Sequence, residues 1–204
     1  MRAQHIDFWF DFGSPNAWLA HAILPGIAER TGATLAWRPF LLGGVFKATG
    51  NQSPAQAFAH LPAKMAWMGQ ATQRFIARHG VPYAHNPHFP VNTLKVMRGA
   101  MWVRSAHDDA TFMRYVDVMF RHMWVEPRKM DDDGVIAAAL TESGFDPAAF
   151  FEGIQLPDVK SALIDATQAA VDAGVFGAPA CVVGEQTFFG KDDIELMESW
   201  LASR

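Results

Sequence analysis

Residues 8–18 read FWFDFGSPNAW, and this stretch decides the fold of the chain. The aromatic, alternating run at 5–10 is typical of a β-strand. The strand ends in a small polar turn, and Pro15 follows at a position where a helix tolerates a residue without an N–H group. Apolar side chains then recur at helical spacing. The stretch therefore predicts a strand, a turn that ends at Ser14, and a helix from 15 to about 30.

A second strand is predicted at 33–39, so that strand, helix and strand form a right-handed βαβ unit with parallel strands. Strand patterns return only near the C-terminus, at 180–183 and 187–189, where Gly184-Glu185 forms a short hairpin connection. A last helix runs from about Asp192 to residue 202.

The middle of the chain has a different character, because helical patterns follow one another without a strand between them. We predict a loop over 41–50, a helix over 54–79 with a break near Pro62, a loop over 85–90, and helices over 93–105, 109–124, 132–143 and 147–153. A further helix over 157–173 precedes the C-terminal strands. The order βαβ, helices, αββα predicts an α/β fold that is interrupted by an all-α helical insertion.

Composition excludes several classes of function. The chain has 204 residues, of which 50% are hydrophobic, and a formal net charge of −4 without a basic cluster, which argues against a nucleic-acid partner. The apolar runs are too short to span a membrane, and the N-terminus has no signal-peptide pattern. The single cysteine leaves no internal disulfide framework. We therefore expect a soluble protein of the reducing cytoplasm.

Ser14 lies at the N-terminal end of the first predicted helix, where free N–H groups and the positive end of the helix dipole stabilise an anion. Its hydroxyl either caps the helix or donates a hydrogen bond to such an anion, and the residues alone leave both roles open. A serine hydrolase is disfavoured because the turn lacks the G-x-S-x-G pattern.

Two later segments could also carry chemistry. Gly177-Ala178-Pro179 begins a strand with an X–Pro bond that is either trans or cis, and a cis bond would present the backbone of Ala178 to a peptide-like ligand. Gly190-Lys191-Asp192 begins the last helix, where N–H groups bind a carboxylate and Asp192 either binds an amine or caps the helix. No metal site is predicted, since the chain has no C-x-x-C or H-E-x-x-H motif. Cys181 lies in an apolar strand, where burial is expected.

The order and spacing of these motifs resemble one family along nearly the whole chain. F-D-F-x-S-P, G-V-F-G-A-P and F-F-G-K-D-D are similar to motifs of the 2-hydroxychromene-2-carboxylate isomerase family, a relative of the kappa-class glutathione transferases and the DsbA-like branch of the thioredoxin superfamily. The resemblance implies a thioredoxin-like domain at 1–40 and 154–204 and an α-helical insertion domain at 41–153. It also implies that glutathione binds between them and that the chain forms a homodimer.

The resemblance assigns roles to individual residues. Ser14 replaces the redox cysteine and is the expected catalytic residue. The residues expected to bind glutathione are Ala178, Pro179, Gly190, Lys191, Asp192 and Lys64. Those assigned to the substrate are Lys47, Asn51 and Asn92. The chain departs from the family pattern where Lys191 replaces a small polar residue, Ala71 an acidic residue and Asn16 an aromatic residue. The helix of Lys64 also matches the family at Trp67 and Arg74.

The activity implied by the resemblance is glutathione-dependent cis–trans isomerisation of 2-hydroxychromene-2-carboxylate or a related intermediate of aromatic degradation. Glutathione acts there as the cofactor, and a small aromatic carboxylate is the substrate. Two alternatives stay open: a kappa-like glutathione transferase, and a non-catalytic thioredoxin-fold protein that binds a peptide beside Pro179. A disulfide oxidoreductase is disfavoured because the chain has no C-x-x-C motif.

Overall fold

The structure of the protein, a computed structural model, describes residues 4–203. Four strands form one mixed sheet, and they are β1 (His5–Phe10), β2 (Thr34–Pro39), β3 (Ala180–Val183) and β4 (Gln186–Phe189). Their order across the sheet is β2-β1-β3-β4, with β1 and β2 parallel and the other pairs antiparallel. Phe8 of β1 pairs with Cys181 of β3, so the two ends of the chain meet at the centre of the sheet.

The described residues contain ten helices, which are α1 (Pro15–Thr31), α2 (Leu42–Thr49), α3 (Pro54–Ala57), α4 (Pro62–His79), α5 (Leu94–Ala106), α6 (Asp109–Trp124), α7 (Asp133–Glu142), α8 (Pro147–Gly153), α9 (Pro157–Asp172) and α10 (Gly190–Ala202). The predicted α/β fold class is confirmed, as is the break before Pro62. Most other predicted ends differ from the structure by no more than two residues.

The predicted loop over 41–50 is wrong, because its residues form α2. Two glycines lower the helix propensity of this segment. The helix begins instead through tertiary contacts, since the Leu42 N–H donates to the Asp11 carboxylate at 2.8 Å and the Leu41 N–H to the Thr167 hydroxyl at 3.0 Å. Gly44 faces the same threonine, and a Cβ at this position would lie 2.8 Å from its methyl group. A larger residue at this position would therefore displace the Thr167 side chain.

Each face of the sheet has its own hydrophobic cluster, because successive strand residues point to opposite faces. On one face, Phe8 and Phe10 pack with α1 and with the middle helices, and the Phe12 and Phe120 rings lie 4.9 Å apart. On the other face, Trp9 packs with residues of α2, α9 and the segment before β3. The predicted insertion thus shares a core with the sheet, which holds it against the turn that contains Ser14. The predicted domain limits remain a prediction.

No helix within residues 4–203 combines the length and apolar character needed to cross a membrane. In the same part of the chain, no group of three or more His, Cys, Asp and Glu side chains could hold a metal ion.

Candidate active site

Ser14 is the N-cap of α1, and only 5% of its surface is exposed. Its Oγ accepts a hydrogen bond from the Ala17 N–H at 3.2 Å and donates one to the carbonyl oxygen of Ala178 at 2.8 Å. Pro15 carries no N–H group, so the N–H of Asn16 is the next free donor at the helix start. The capping role is therefore present, and the same hydroxyl points across to the segment before β3.

The segment before β3 passes close to Ser14 and α10. The Ala178–Pro179 peptide bond is cis, one of the two states left open by the sequence. The carbonyl oxygen of Pro179 accepts the Gly190 N–H at 3.0 Å, whereas the Ala178 N–H donates to no atom of residues 4–203. A Cβ at Gly177 would lie 2.9 Å from the Phe189 ring, so a larger residue here would displace the ring or the backbone. One backbone donor next to Ser14 is thus available to a ligand.

Lys191 is a buried cation at the start of α10, with 4% of its surface exposed. Its Nζ contacts the carboxylate of Asp192 at 2.5 Å and lies 5.5 Å from the centre of the Phe75 ring. An ammonium group has three donors, and within residues 4–203 one of them is used. Asp193 caps the helix start by accepting the Phe189 N–H at 3.0 Å. The alternative in which Asp192 merely caps α10 is therefore wrong.

The residues assigned to the substrate lie on two segments beside this region. Asn51 follows α2 and donates through Nδ2 to the carbonyl oxygen of Phe176 at 2.8 Å. Lys47 is exposed on α2 and forms no ion pair within the described residues. Asn92 accepts the N–H of Leu94 at 3.0 Å, just before α5.

Within residues 4–203, the Lys64 side chain forms no hydrogen bond or ion pair with the other predicted residues. It is exposed near the start of α4, where its Nζ lies 3.7 Å from the centre of the Phe58 ring. Phe75, which faces Lys191, follows eleven residues later on the same helix, about 16 Å along the axis. Trp67 is 56% exposed on the same helix. Hydrogen bonds therefore join Ser14 to the segments at 178–179 and 190–192, and Lys64 takes no part in them.

Sequence reasoning missed Asp11, which is 1% exposed at the end of β1. Its two carboxylate oxygens accept the N–H groups of Gly13 and Leu42, each at 2.8 Å. Burial raises its pKa, while these two bonds and the Thr93 side chain oppose the rise. Its bond to the N–H of Gly13, two residues later, is an Asx turn, and an aspartate at a strand end two residues before a glycine could have signalled it.

Cys181 cannot supply the thiol of a reaction at this site. Its side chain is buried in β3, as expected from the sequence, and burial raises the pKa of its thiol far above the usual range. A thiolate is the reactive form of cysteine. Any thiol chemistry here must therefore use a thiol from outside the chain.

A cavity of about 630 Å³ lies between α1 and α6, and none of the predicted site residues lines it. His21 is its buried polar group, and both ring nitrogens are occupied. Nδ1 accepts the Trp37 indole N–H at 3.0 Å, which leaves the proton on Nε2 to be donated to Asp117 at 2.8 Å. With both nitrogens engaged, His21 connects β2 to α6 and has no nitrogen free to act as a base.

Comparison with known proteins identifies the family of the chain. A family model described as a DSBA-like thioredoxin domain matches residues 5–202. The chain belongs to this family. A 2-hydroxychromene-2-carboxylate isomerase of Sphingobium xenophagum is 29% identical over 199 residues, which cover 96% of this chain and 97% of that protein. Glutathione S-transferase kappa 1 of Homo sapiens is 28% identical over 98% of this chain and 91% of that protein.

A solved structure of a 2-hydroxychromene-2-carboxylate isomerase has a TM-score of 0.82 and 26% identity to this member of the DSBA-like family. The two structures align over 98% of this chain and 95% of the solved isomerase chain. The resemblance predicted from the motifs is confirmed by these matches. Because the relatives are isomerases and glutathione transferases matched along most of their length, they support an enzyme rather than a non-catalytic binding protein.

Proposed function

We propose that the protein is a glutathione-dependent isomerase of a small aromatic carboxylate, of the 2-hydroxychromene-2-carboxylate type. The observation that carries the proposal is the Ser14 hydroxyl, held at a helix N-terminus and directed to the backbone before a cis-proline. Such a position favours an anion. The chain itself offers no thiol for this position, because Cys181 is buried in the sheet. The named isomerase relatives support the reaction class.

The residues present fit the groups of glutathione, a peptide with a thiol, an amine and two carboxylates. The free N–H of Ala178 suits the peptide backbone. Lys191 has ammonium donors to spare for a carboxylate, and the Asp192 carboxylate, 73% exposed, suits an amine. When bound, glutathione supplies a thiolate that adds reversibly to a conjugated carbon, so that a double bond becomes single and rotates.

In this proposal Ser14 stabilises the negative charge of the bound thiolate. In the structure its hydroxyl hydrogen is donated to the Ala178 oxygen. This oxygen can accept a second hydrogen bond from a peptide N–H, and the hydroxyl can turn towards an anion at the α1 N-terminus. A hydrogen bond to a charged group contributes about 1.5–3 kcal/mol. The helix N-terminus adds up to about 1 kcal/mol at an accessible position.

Three aromatic rings next to Ala178 support an aromatic substrate. The Phe176 and Phe189 ring centres are 4.4 Å apart, and Phe176 is 42% exposed. A Cβ at Gly177 would lie 4.0 Å from the Phe46 ring, which places this third ring on the same side. An exposed aromatic surface binds a planar ring by stacking. We assign Lys47 and Asn51, which lie on and just after the helix of Phe46, to the substrate carboxylate.

The experiment that tests this proposal is calorimetry with glutathione, followed by an isomerisation assay with 2-hydroxychromene-2-carboxylate. We expect binding, turnover only in the presence of glutathione, and no turnover with S-methylglutathione, which keeps the peptide but blocks the thiol. Absence of glutathione binding at millimolar concentration would refute the proposal. Turnover that does not depend on added thiol would refute it equally.

A kappa-like glutathione transferase is the second candidate, favoured by matches to three kappa-class transferases at 27–28% identity. The two activities differ in the release of a conjugate. Incubation with 1-chloro-2,4-dinitrobenzene and glutathione gives a stable product only for a transferase. We also propose a cytoplasmic homodimer, as the resemblance implies, and sedimentation analysis tests the dimer.

A further inference from the structure

Asp11 is the buried acidic group closest in sequence to Ser14, three residues before it at the end of β1. One carboxylate oxygen accepts the Gly13 N–H and the other accepts the Leu42 N–H, both at 2.8 Å. The Thr93 side chain also stabilises the charged carboxylate. A buried carboxylate is costly unless such donors surround it. Burial raises the pKa of the Asp11 carboxyl, and these three groups favour its charged form.

The three groups lie on three different segments around the proposed site. Gly13 belongs to the turn that ends at Ser14. Leu42 is the first residue of α2, which carries Lys47. Thr93 follows Asn92 and packs on the turn, since a Cβ at Gly13 would lie 3.2 Å from its methyl group.

We propose that Asp11 is a positioning residue, whose carboxylate sets the catalytic turn relative to the two segments that carry the substrate-side residues. This inference rests on the proposed function. It assigns Asp11 no contact with glutathione or substrate. The glutathione side is also held by the hydrogen bond between Pro179 and Gly190 and by the Lys191–Asp192 ion pair, and neither involves this carboxylate.

Asp11→Asn is the direct test, because it preserves the shape of the side chain. An amide has only one acceptor oxygen, so its NH₂ group must face either the Gly13 N–H or the Leu42 N–H. We expect kcat to fall about ten- to hundred-fold, the effect of losing a charged hydrogen bond. We also expect the dissociation constant and the binding stoichiometry for glutathione to stay within about threefold of wild type.

The matched control is Asp132→Asn. Asp132 also accepts two backbone N–H groups, those of Gly134 and Val135, but it does so at the exposed start of α7. We expect this variant to keep the wild-type kcat. A reduced kcat in both variants would mean that loss of any such cap impairs the enzyme, and it would overturn the assignment.

A second pair of variants keeps the inference testable if Asp11→Asn folds poorly. Thr93→Val preserves the methyl group that packs on Gly13 and removes only the hydroxyl, whereas Thr93→Ser preserves the hydroxyl. We expect kcat to fall several-fold in the valine variant and to remain near wild type in the serine variant. The opposite order would show that packing, not the carboxylate partner, matters at this position.

The outcomes separate the inference from the function on which it rests. If wild-type protein does not bind glutathione, the proposed function itself fails. If wild-type protein is active but Asp11→Asn has the same kcat, only the positioning role is overturned. Equal losses of kcat and of glutathione stoichiometry in Asp11→Asn would also overturn it, because they report a smaller folded fraction rather than a displaced turn.

Discussion

The hydroxyl of Ser14 donates a 2.8 Å hydrogen bond to the carbonyl oxygen of Ala178, a residue 164 positions later in the chain. This bond joins the start of α1 to the cis-proline segment. Both groups are those that a bound peptide thiol would need, one as donor to sulfur and the other as acceptor for a backbone N–H. The Ala178 oxygen has a second lone pair for such an N–H, so in our proposal the serine hydroxyl turns to the sulfur while this oxygen keeps an acceptor role.

Ser14→Ala tests the catalytic role of this hydroxyl. We expect turnover to fall about 10- to 100-fold, because a hydrogen bond to a charged group is lost. Loss of the N-cap should also lower stability by about 1 kcal/mol, or a few degrees in Tm. Ser53→Ala is the matched control, since Ser53 also caps a helix before a proline and accepts the Gln56 N–H. Undiminished turnover in Ser14→Ala would remove the serine from the mechanism.

Lys191→Met separates the effect of this lysine on glutathione binding from its effect on protein stability. We expect the affinity for glutathione to fall about tenfold or more, because a carboxylate loses its cationic partner. The Tm should stay the same or rise, since a buried ammonium with one partner is replaced by an apolar side chain. The control is Lys129→Met, which removes an exposed lysine. Calorimetry and thermal denaturation measure both effects, and unchanged affinity would exclude Lys191 from the site.

Gly177→Ala tests the close packing beneath the cis-proline segment. The added methyl group would lie 2.9 Å from the Phe189 ring, so the ring or the backbone must shift. We expect a loss of about 1–3 kcal/mol in stability together with weaker glutathione binding. Gly43→Ala, where a Cβ meets no atom within 4 Å on α2, should instead gain up to about 1 kcal/mol. Equal effects of the two substitutions on Tm would contradict this interpretation.

His122→Gln tests a pH effect on stability. Burial, followed by the nearby Arg128 charge, lowers the pKa of His122 below 6.5, and its Nδ1 has no partner within the described residues. The unfolded chain therefore binds a proton first as the pH falls, and stability is lost from pH 6.5 down to the lower pKa of the folded state.

When the pH is lowered from 7.5 to 5.5, the Tm of the wild-type protein should fall more than the Tm of His122→Gln. His60→Gln, which changes an exposed histidine, should follow wild type. The same Tm change in all three proteins would show that His122 does not control this acid sensitivity.

Much of the fold could be predicted because its signals are local. Pro15 after a capping serine starts α1, and the tight connection at Gly184 joins β3 to β4. Helix α2 could not be predicted in this way. Its first N–H groups bond to Asp11 and Thr167, which are distant in sequence, and its glycines argue against a helix until those contacts are known.

The candidate site, too, could be predicted only in part from the sequence. The motifs placed Ser14, Ala178 and Lys191 as candidates, because helix starts and X–Pro bonds leave marks in short stretches of sequence. Which candidates meet depends on tertiary contacts, such as the pairing of β1 with β3 that brings Ser14 near Ala178.

The sequence by itself determined the strand–turn–helix around FGSPN, since steric limits and capping act between neighbouring residues. Only the tertiary structure decided that the Ser14 hydroxyl reaches Ala178, that Lys191 is buried, and that Asp11 links three segments. These relationships depend on hydrogen bonds and packing between distant parts of the chain, which form only when the whole core is assembled.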